Sequence, residues 1–123
     1  MKYTLVATLI VAASPVVAQD GMRASDITLN PSGLTQLLSG QTIEFFDGSK
    51  STYRDTGRYE YTYTDDGPVW VGGYTIAANS AVCVNFDNGS ARCDFIVKDG
   101  EQVVLITAEG IRFPVRNITV ATR

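Results

Sequence analysis

The feature that most constrains the fold is a series of glycine-containing turns between residues 47 and 110. Tight hairpin turns need backbone with positive φ, which glycine adopts freely, and a neighbouring aspartate or asparagine supports the turn through local hydrogen bonds. The stretches between these turns are short and alternate apolar with polar residues, as half-buried strands do. Nearly every connection is therefore predicted to be a hairpin between antiparallel neighbours. The turns are Asp47-Gly48, Asp55-Thr56-Gly57, Asp65-Asp66-Gly67, Asp87-Asn88-Gly89, Asp99-Gly100 and Glu109-Gly110.

The alternation predicts an all-β fold, an antiparallel meander of about eight short strands in sequential order. Such an up-and-down meander closes most economically into a small barrel, because closure removes the exposed edges that promote aggregation. A hairpin-rich sandwich is the alternative. Gly72 and Gly73 predict either a bulge or a close approach of two backbones. The predicted strands are 42–46, 51–54, 58–64, 69–77, 81–86, 91–98, 102–108 and 111–115.

One short helix is predicted ahead of the strands, at residues 31–38, after a polar leader at 19–26. Asn30 or Ser32 can cap its start, and Gly40 ends it. Its leucines form an apolar stripe, which we expect to close one end of the structure that follows. The stripe consists of Leu34, Leu37 and Leu38.

Residues 1–18 have the organisation of a signal peptide. Lys2 supplies the positive start, and the apolar run 5–13 is shorter than the roughly 20 residues that span a bilayer. Small residues precede a cleavage position after Ala18. An uncleaved anchor and a buried core strand are the alternatives. We expect a mature chain of one β-barrel-like domain, 19–123, in the periplasm or the extracellular medium, with no transmembrane segment.

The chain has two cysteines, Cys83 and Cys93. An even number in an exported protein indicates a disulfide, since compartments beyond the inner membrane are oxidising. A three-residue loop at 87–89, with Gly89 in the left-handed position, places the cysteines opposite each other in a non-hydrogen-bonded pair that suits a bridge. A two-residue Asn88-Gly89 turn instead groups the apolar residues on one face but separates the sulfurs. We favour the three-residue loop.

The favoured register decides where two charged side chains of the hairpin point. It puts Arg92 and Asp94 on the apolar, inward face, where they would form a buried pair. A buried charged pair is a pointer to a binding site. By contrast, Arg112 and Arg116 near the C-terminus are expected to face solvent.

Composition excludes most enzyme chemistry. The absence of histidine removes Ser-His-Asp and Cys-His catalysis, histidine-ligated zinc and the usual general base near neutral pH. The 10 basic and 13 acidic residues give a net charge of −3, which argues against nucleic acid or an anionic membrane as a partner. The carboxylates beside turn glycines serve the turns. We therefore predict no catalytic residue, no metal, no cofactor and no enzymatic activity.

Aromatic residues supply the predicted contact surface. Their polar tips suit ligand pockets and protein interfaces, whereas cross-strand packing in a small core is the alternative. The expected partner of this monomer is a small molecule or an envelope or secreted protein. The predicted contact residues are Tyr59, Tyr61, Tyr63, Trp70, Tyr74 and Arg92.

The run 38–113 resembles small exported domains of unknown function found in alphaproteobacteria, which look like lipocalin- or avidin-style minibarrels. The short motifs that carry this resemblance are Leu38-Ser39-Gly40-Gln41-Thr42, Asp47-Gly48-Ser49, Gly72-Gly73-Tyr74-Thr75-Ile76 ahead of Val82-Cys83-Val84, and Cys93 about ten residues after the first cysteine. A more distant likeness is to the small barrel inhibitors of secreted proteases, whose cysteines lie farther apart. The resemblance implies fold and compartment, and it implies no activity.

These observations predict an exported, non-enzymatic binding or inhibitor-type module. The alternative is an envelope-associated structural or protein-interaction domain. An internal cavity of several hundred Å³ would favour a small-molecule ligand. A filled barrel with an exposed aromatic patch would favour a protein partner.

Overall fold

The computed structural model describes residues 20–122 of the chain, so that the predicted signal peptide, 1–18, lies outside the described residues. These residues form nine strands and one short helix, and eight of the strands close into a barrel. The predicted all-β barrel is confirmed. In chain order the elements are β1 (Asp26–Thr28), α1 (Pro31–Leu38), β2 (Gln41–Phe45), β3 (Lys50–Tyr53), β4 (Arg58–Thr62), β5 (Trp70–Ile76), β6 (Ala81–Phe86), β7 (Ala91–Asp99), β8 (Gln102–Ile106) and β9 (Arg112–Val120).

The barrel is an up-and-down meander. Each strand from β2 to β9 pairs antiparallel with its neighbours in the chain, and β9 returns to pair with β2. The sandwich alternative is thereby excluded. β1 lies outside this circuit and pairs with residues 97–99 of β7, beyond the segment of β7 that pairs with β6.

Large side chains fill the barrel interior. Ile43, Tyr53, Tyr59 and Leu105 are each at most 2% exposed. The rings of Tyr53 and Tyr59 meet edge to face with their centroids 5.1 Å apart. The hydroxyls of Ser51 and Tyr59 share a hydrogen bond of 2.9 Å, which satisfies both polar groups inside the core.

Gly72 permits one of the two arrangements that the sequence predicts, a close approach of two backbones. A β-carbon at this position would lie 2.8 Å from the α-carbon of Phe86 on β6, too close for any side chain. The pairing of β5 with β4 and β6 continues through Gly72 without a register shift. The glycine therefore serves the close approach, and no bulge occurs here.

The helix α1 occupies the predicted range and closes one end of the barrel. The Asn30 side chain accepts a hydrogen bond of 2.7 Å from the Gly33 N–H, so Asn30 and not Ser32 is the cap. Leu34 and Leu38 are fully buried against the barrel core. Their burial confirms that the leucine stripe faces the barrel.

The prediction that Arg112 faces solvent is wrong. Its side chain is 13% exposed and donates hydrogen bonds of 2.6 and 2.9 Å to the carboxylate of Asp26 on β1. The strand β1 itself is absent from the predicted set, because it is short and lies in a polar stretch. Met22, which precedes β1, packs on an outer apolar cluster of Val97, Val104 and Ile106, and β1 itself extends the sheet beside β7.

Strand boundaries also differ from the predicted ones, as at the ends of β4 and β9. β4 ends at Thr62, so that Tyr63 lies in the following loop. β9 continues to Val120, because residues 117–120 pair with β2 after a register shift between Glu44 and Phe45.

Cys83 and Cys93 form the predicted disulfide, with their α-carbons 4.0 Å apart. Phe86 donates a backbone hydrogen bond of 2.8 Å to Ser90 across the intervening turn, and Gly89 has a φ of 92°. The three-residue loop is therefore confirmed. The cysteines lie on the outer surface of the β6–β7 hairpin, and the residues on either side of each cysteine point into the barrel.

Candidate functional site

The two ends of the barrel differ. The helix α1 covers the end at which β2 begins. Four loops border the other end, and no helix within residues 20–122 covers it. We call it the open end, and its loops are 46–49, 63–69, 87–90 and 107–111.

Exposed apolar side chains concentrate at the open end. Among the described residues, nine large apolar side chains are exposed, and six of them lie in loops or at strand ends of the open end. Tyr63 is 64% exposed and Phe46 is 62% exposed. We call this set the apolar rim, and it consists of Phe46, Tyr63, Val69, Trp70, Ile111 and Phe113.

A shallow hollow of about 240 Å³ lies inside the apolar rim, with aromatic walls and polar groups from the β6–β7 loop. The rings of Tyr61 and Tyr63 meet edge to face with their centroids 4.9 Å apart. A neighbouring hollow shares Trp70, Phe86 and Asn88 with it, so the apolar surface continues around Trp70. The residues that line the first hollow are Tyr61, Tyr63, Trp70, Phe86, Asn88, Ser90 and Arg92.

Arg92 and Asp94 form an ion pair at the inner edge of this hollow, as the favoured register predicts. The Nε of Arg92 donates a hydrogen bond of 2.9 Å to Asp94, which is 4% exposed. The guanidinium also lies 5.7 Å from the centroid of the Tyr61 ring, within the range of a cation–π contact. Burial raises the pKa of Asp94, and the ion pair with Arg92 opposes this rise.

The guanidinium of Arg92 still has donors to offer. Within the described residues its two terminal nitrogens donate no hydrogen bond, and no buried polar side-chain atom there lacks a partner, so these nitrogens face open space. The side chain is 37% exposed. Asp94 and Tyr61 thus hold a planar group that can bind a carboxylate through two parallel hydrogen bonds.

The barrel interior has little room for a ligand. The space beside Arg92 and Tyr61 on the inner side of the hollow measures about 70 Å³, bordered by Phe45, Ser49 and Leu105 among others. That volume holds only a few water molecules, whereas sites for drug-sized ligands measure about 300–1,000 Å³. Burial raises the pKa of Tyr59 to about 12, which keeps its hydroxyl neutral in the core.

The structure separates the six predicted contact residues into two groups. Tyr61, Tyr63, Trp70 and Arg92 meet at the open end. Tyr59 is fully buried in the core. Tyr74 packs its ring on Tyr53 at a centroid distance of 5.2 Å and donates a hydrogen bond of 2.7 Å to the Arg54 carbonyl, away from the hollow.

Other residues of the open end are missing from the predicted contact set. Asn88 and Ser90 belong to the turn sequence and line the hollow, and their side chains also hydrogen-bond each other at 2.7 Å. The remaining ones are rim residues that directly follow or precede a turn glycine or a strand end. Two of these rim residues could have been found from the sequence, because an apolar residue lies directly beside a turn dipeptide. Phe46 precedes Asp47-Gly48, and Ile111 follows Glu109-Gly110.

Residues 20–122 contain neither a metal-binding cluster nor a membrane-spanning helix. No group of three or more cysteine or acidic side chains converges there in a way that could hold a metal ion. No helix in this part of the chain has the length and apolar character needed to cross a membrane.

Comparisons of the chain with known protein families, with curated proteins and with solved structures gave no match. The resemblance to alphaproteobacterial minibarrels therefore stays a prediction.

Proposed function

We propose that this chain is exported and works as a non-enzymatic module that binds another protein through the open end of its barrel. The observation that carries the proposal is the concentration of exposed apolar side chains in the apolar rim. Exposed aromatic clusters of this kind are typical of protein-interaction surfaces, because burying them against a partner removes apolar area from water.

A filled interior supports a protein partner over a small molecule. The hollow inside the rim is shallow, and the space beneath it measures only about 70 Å³. A small ligand would have to remain largely in solvent, whereas bound small molecules usually bury most of their surface. A protein surface can instead cover the rim and the hollow together.

The disulfide and the N-terminal sequence support export. A cross-strand bridge between Cys83 and Cys93 persists in oxidising compartments and is rare in the reducing cytosol. The predicted signal peptide, 1–18, supplies the route.

The arrangement of carboxylates supports a binding role over catalysis. Among the described residues, Asp94 is the acidic side chain with a raised pKa, and it already forms an ion pair with Arg92. Asp47, in the loop 46–49, has a lowered pKa because Ser49 donates hydrogen bonds to it. Acid–base catalysis by two carboxylates needs one raised and one ionised group facing a common substrate.

A second candidate is an envelope-associated protein-interaction domain. The same apolar rim favours it, since a resident envelope protein could cover the rim permanently. The two candidates differ in the partner: an inhibitor-type module binds a soluble secreted protein, whereas an envelope domain binds a protein that stays in the membrane fraction.

Site-specific photo-crosslinking in the producing cell tests the proposal. A photoreactive amino acid replaces Tyr63 in the rim, and the matched control places it at exposed Ala78, in the loop beside the closed end. We expect a protein adduct from position 63 and none from position 78. Equal adducts from both positions, or none from position 63, would contradict the proposal. The fraction that holds the adduct distinguishes the two candidates.

A further inference from the structure

The strand β7 has an unpaired edge beside the open end. Its residues 91–95 pair with β6 on one side, but on the other side β8 pairs only with residues 95–99. After Ile106 the chain turns away, with Thr107 donating a backbone hydrogen bond of 2.9 Å to Ile111. The segment 91–94 therefore has a neighbouring strand on one edge only.

Register determines which backbone groups this edge presents. Residues of an antiparallel strand alternate in the side to which both N–H and C=O point. Phe86 and Ser90 are joined by a backbone hydrogen bond, so Arg92 and Asp94 also bond towards β6, whereas Ala91 and Cys93 point away from it. Within residues 20–122, no backbone hydrogen bond joins Ala91 or Cys93 to the β8–β9 turn.

Open space lies beside this edge. A hollow of about 490 Å³ separates the edge from the β8–β9 turn. Two N–H and two C=O groups border it in the extended arrangement that a further strand requires. The residues that line it are Ala91, Arg92, Cys93, Asp94, Thr107, Ala108 and Glu109.

Arg92 adds chemical selectivity to this edge. In an added strand, the residue opposite Arg92 would point to the same face, into the open end. There the terminal nitrogens of Arg92 would meet its side chain, and a carboxylate is the group they bind best. Inward-pointing charges also discourage indiscriminate pairing at a strand edge. An uncharged segment would cover the terminal nitrogens of Arg92 without offering them a hydrogen bond.

We propose that an extended segment of the partner protein pairs with β7 at Ala91 and Cys93 and places an acidic side chain against Arg92. This inference rests on the proposed function and names the chemistry of the partner. The disulfide holds Cys93 to β6 on the outer surface, so the edge is fixed before the segment arrives. A fixed edge lowers the entropic cost of binding.

Selection of peptides from a random displayed library on the folded, disulfide-bonded protein tests this inference. Selected peptides should carry an aspartate or glutamate within an extended apolar context. Bound to isotope-labelled protein, they should slow amide hydrogen exchange at Ala91 and Cys93. No selected peptide, or slowed exchange confined to other strands, would overturn the inference.

Removal of a backbone N–H, first from the protein and then from the peptide, sharpens the test. Ala91→Pro removes a donor that points away from β6, and proline is tolerated at a strand edge, so the barrel should keep its thermal midpoint. Peptide binding should weaken about tenfold. N-methylation of the peptide backbone removes a donor from the other strand of the pairing and leaves the protein unchanged. Undiminished binding in both cases would overturn the inference.

The remaining outcomes are also informative. A concentration-dependent dimer that Ala91→Pro abolishes would show that a second copy of this chain occupies the edge, which contradicts the inference. If Ala91→Pro leaves binding of the natural partner intact while Trp70→Ala abolishes it, the proposed function stands and the edge inference fails. If Ala91→Pro and Trp70→Ala both still bind the partner, the proposed function and the edge inference are both contradicted.

Discussion

Cys83 lies directly opposite Cys93 on the outer surface of the β6–β7 hairpin, with 4.0 Å between their α-carbons. Because side chains alternate along a strand, this register turns Arg92 and Asp94 into the open end. A shift by one residue would carry the charged pair to the outside and separate the sulfurs. The disulfide and the candidate binding group therefore depend on the same three-residue loop.

Removal of the disulfide should lower stability without abolishing the barrel. The bridge closes a short loop, with ten residues of sequence separation, and constrains the unfolded chain. The double change of Cys83→Ser and Cys93→Ser should lower the free energy of unfolding by about 2–3 kcal/mol, measured by urea denaturation. An unchanged denaturation midpoint would show that the bridge has no stabilising role.

Export predicts a defined mature chain. Intact mass of the protein from the producing cell should correspond to a chain that starts at Gln19 and should rise by about 2 Da on reduction. A mass that still includes residues 1–18 would contradict cleavage after Ala18. A mass that reduction leaves unchanged would contradict the disulfide.

The buried carboxyl of Asp94 predicts a pH dependence of stability. Burial raises its pKa in the folded protein above the ordinary value of 3.8, so the folded state holds this proton more tightly than the unfolded state. This tighter proton binding stabilises the folded state fully below pH 3.8, and the stabilisation is lost as pH rises through the raised pKa of Asp94. Asp94→Asn removes this dependence.

The free energies of unfolding of wild type and Asp94→Asn are measured by urea denaturation at a series of pH values, from below 3.8 to above the raised pKa. The free energy of unfolding of the wild type, relative to the variant, should fall as pH rises above 3.8. Asp26, Asp47 and Asp87 have lowered pKa values, so their stabilising effects are lost at lower pH and are shared by both proteins. A constant difference across the window would contradict the assignment.

Arg112 should stabilise the attachment of the N-terminal segment to the barrel. Arg112→Ala removes two of the hydrogen bonds that the fully covered carboxylate of Asp26 accepts and leaves the one from the Arg23 N–H. We expect a loss of about 2–3 kcal/mol in the free energy of unfolding. Arg116→Ala, an exposed position on the same strand, is the matched control and should change it by less than about 0.5 kcal/mol. Equal effects of the two changes would contradict the role of the ion pair.

The turn chemistry made most of the fold predictable from the sequence. Glycines with positive φ do occupy the hairpin connections, as at Gly48, Gly57, Gly89, Gly100 and Gly110. Each such turn fixes the register of the strands beside it, and alternation then determines the inward face. For the cysteine hairpin the turn sequence left two registers open, and the expected pairing of Cys83 with Cys93 selected the one that the structure has.

The features that escaped prediction depend on contacts distant in the chain. Arg112 finds Asp26 across 86 residues, and no periodicity marks either residue as a partner of the other. Tyr59 and Tyr63 share one alternating pattern, yet one is fully buried and the other is 64% exposed, because β4 ends at Thr62. The position of the candidate site likewise could not be predicted, because it depends on which end of the barrel α1 closes.

The central claim is that the apolar rim binds a protein, and native mass spectrometry of the protein purified gently from its producing cell tests it most directly. We predict a co-purifying protein that Trp70→Ala loses and that the control Val120→Ala, at the closed end, retains. The Trp70 side chain is exposed, so its removal should not unfold the barrel. A bare monomer, or a bound mass of only a few hundred daltons that Trp70→Ala retains, would contradict the account.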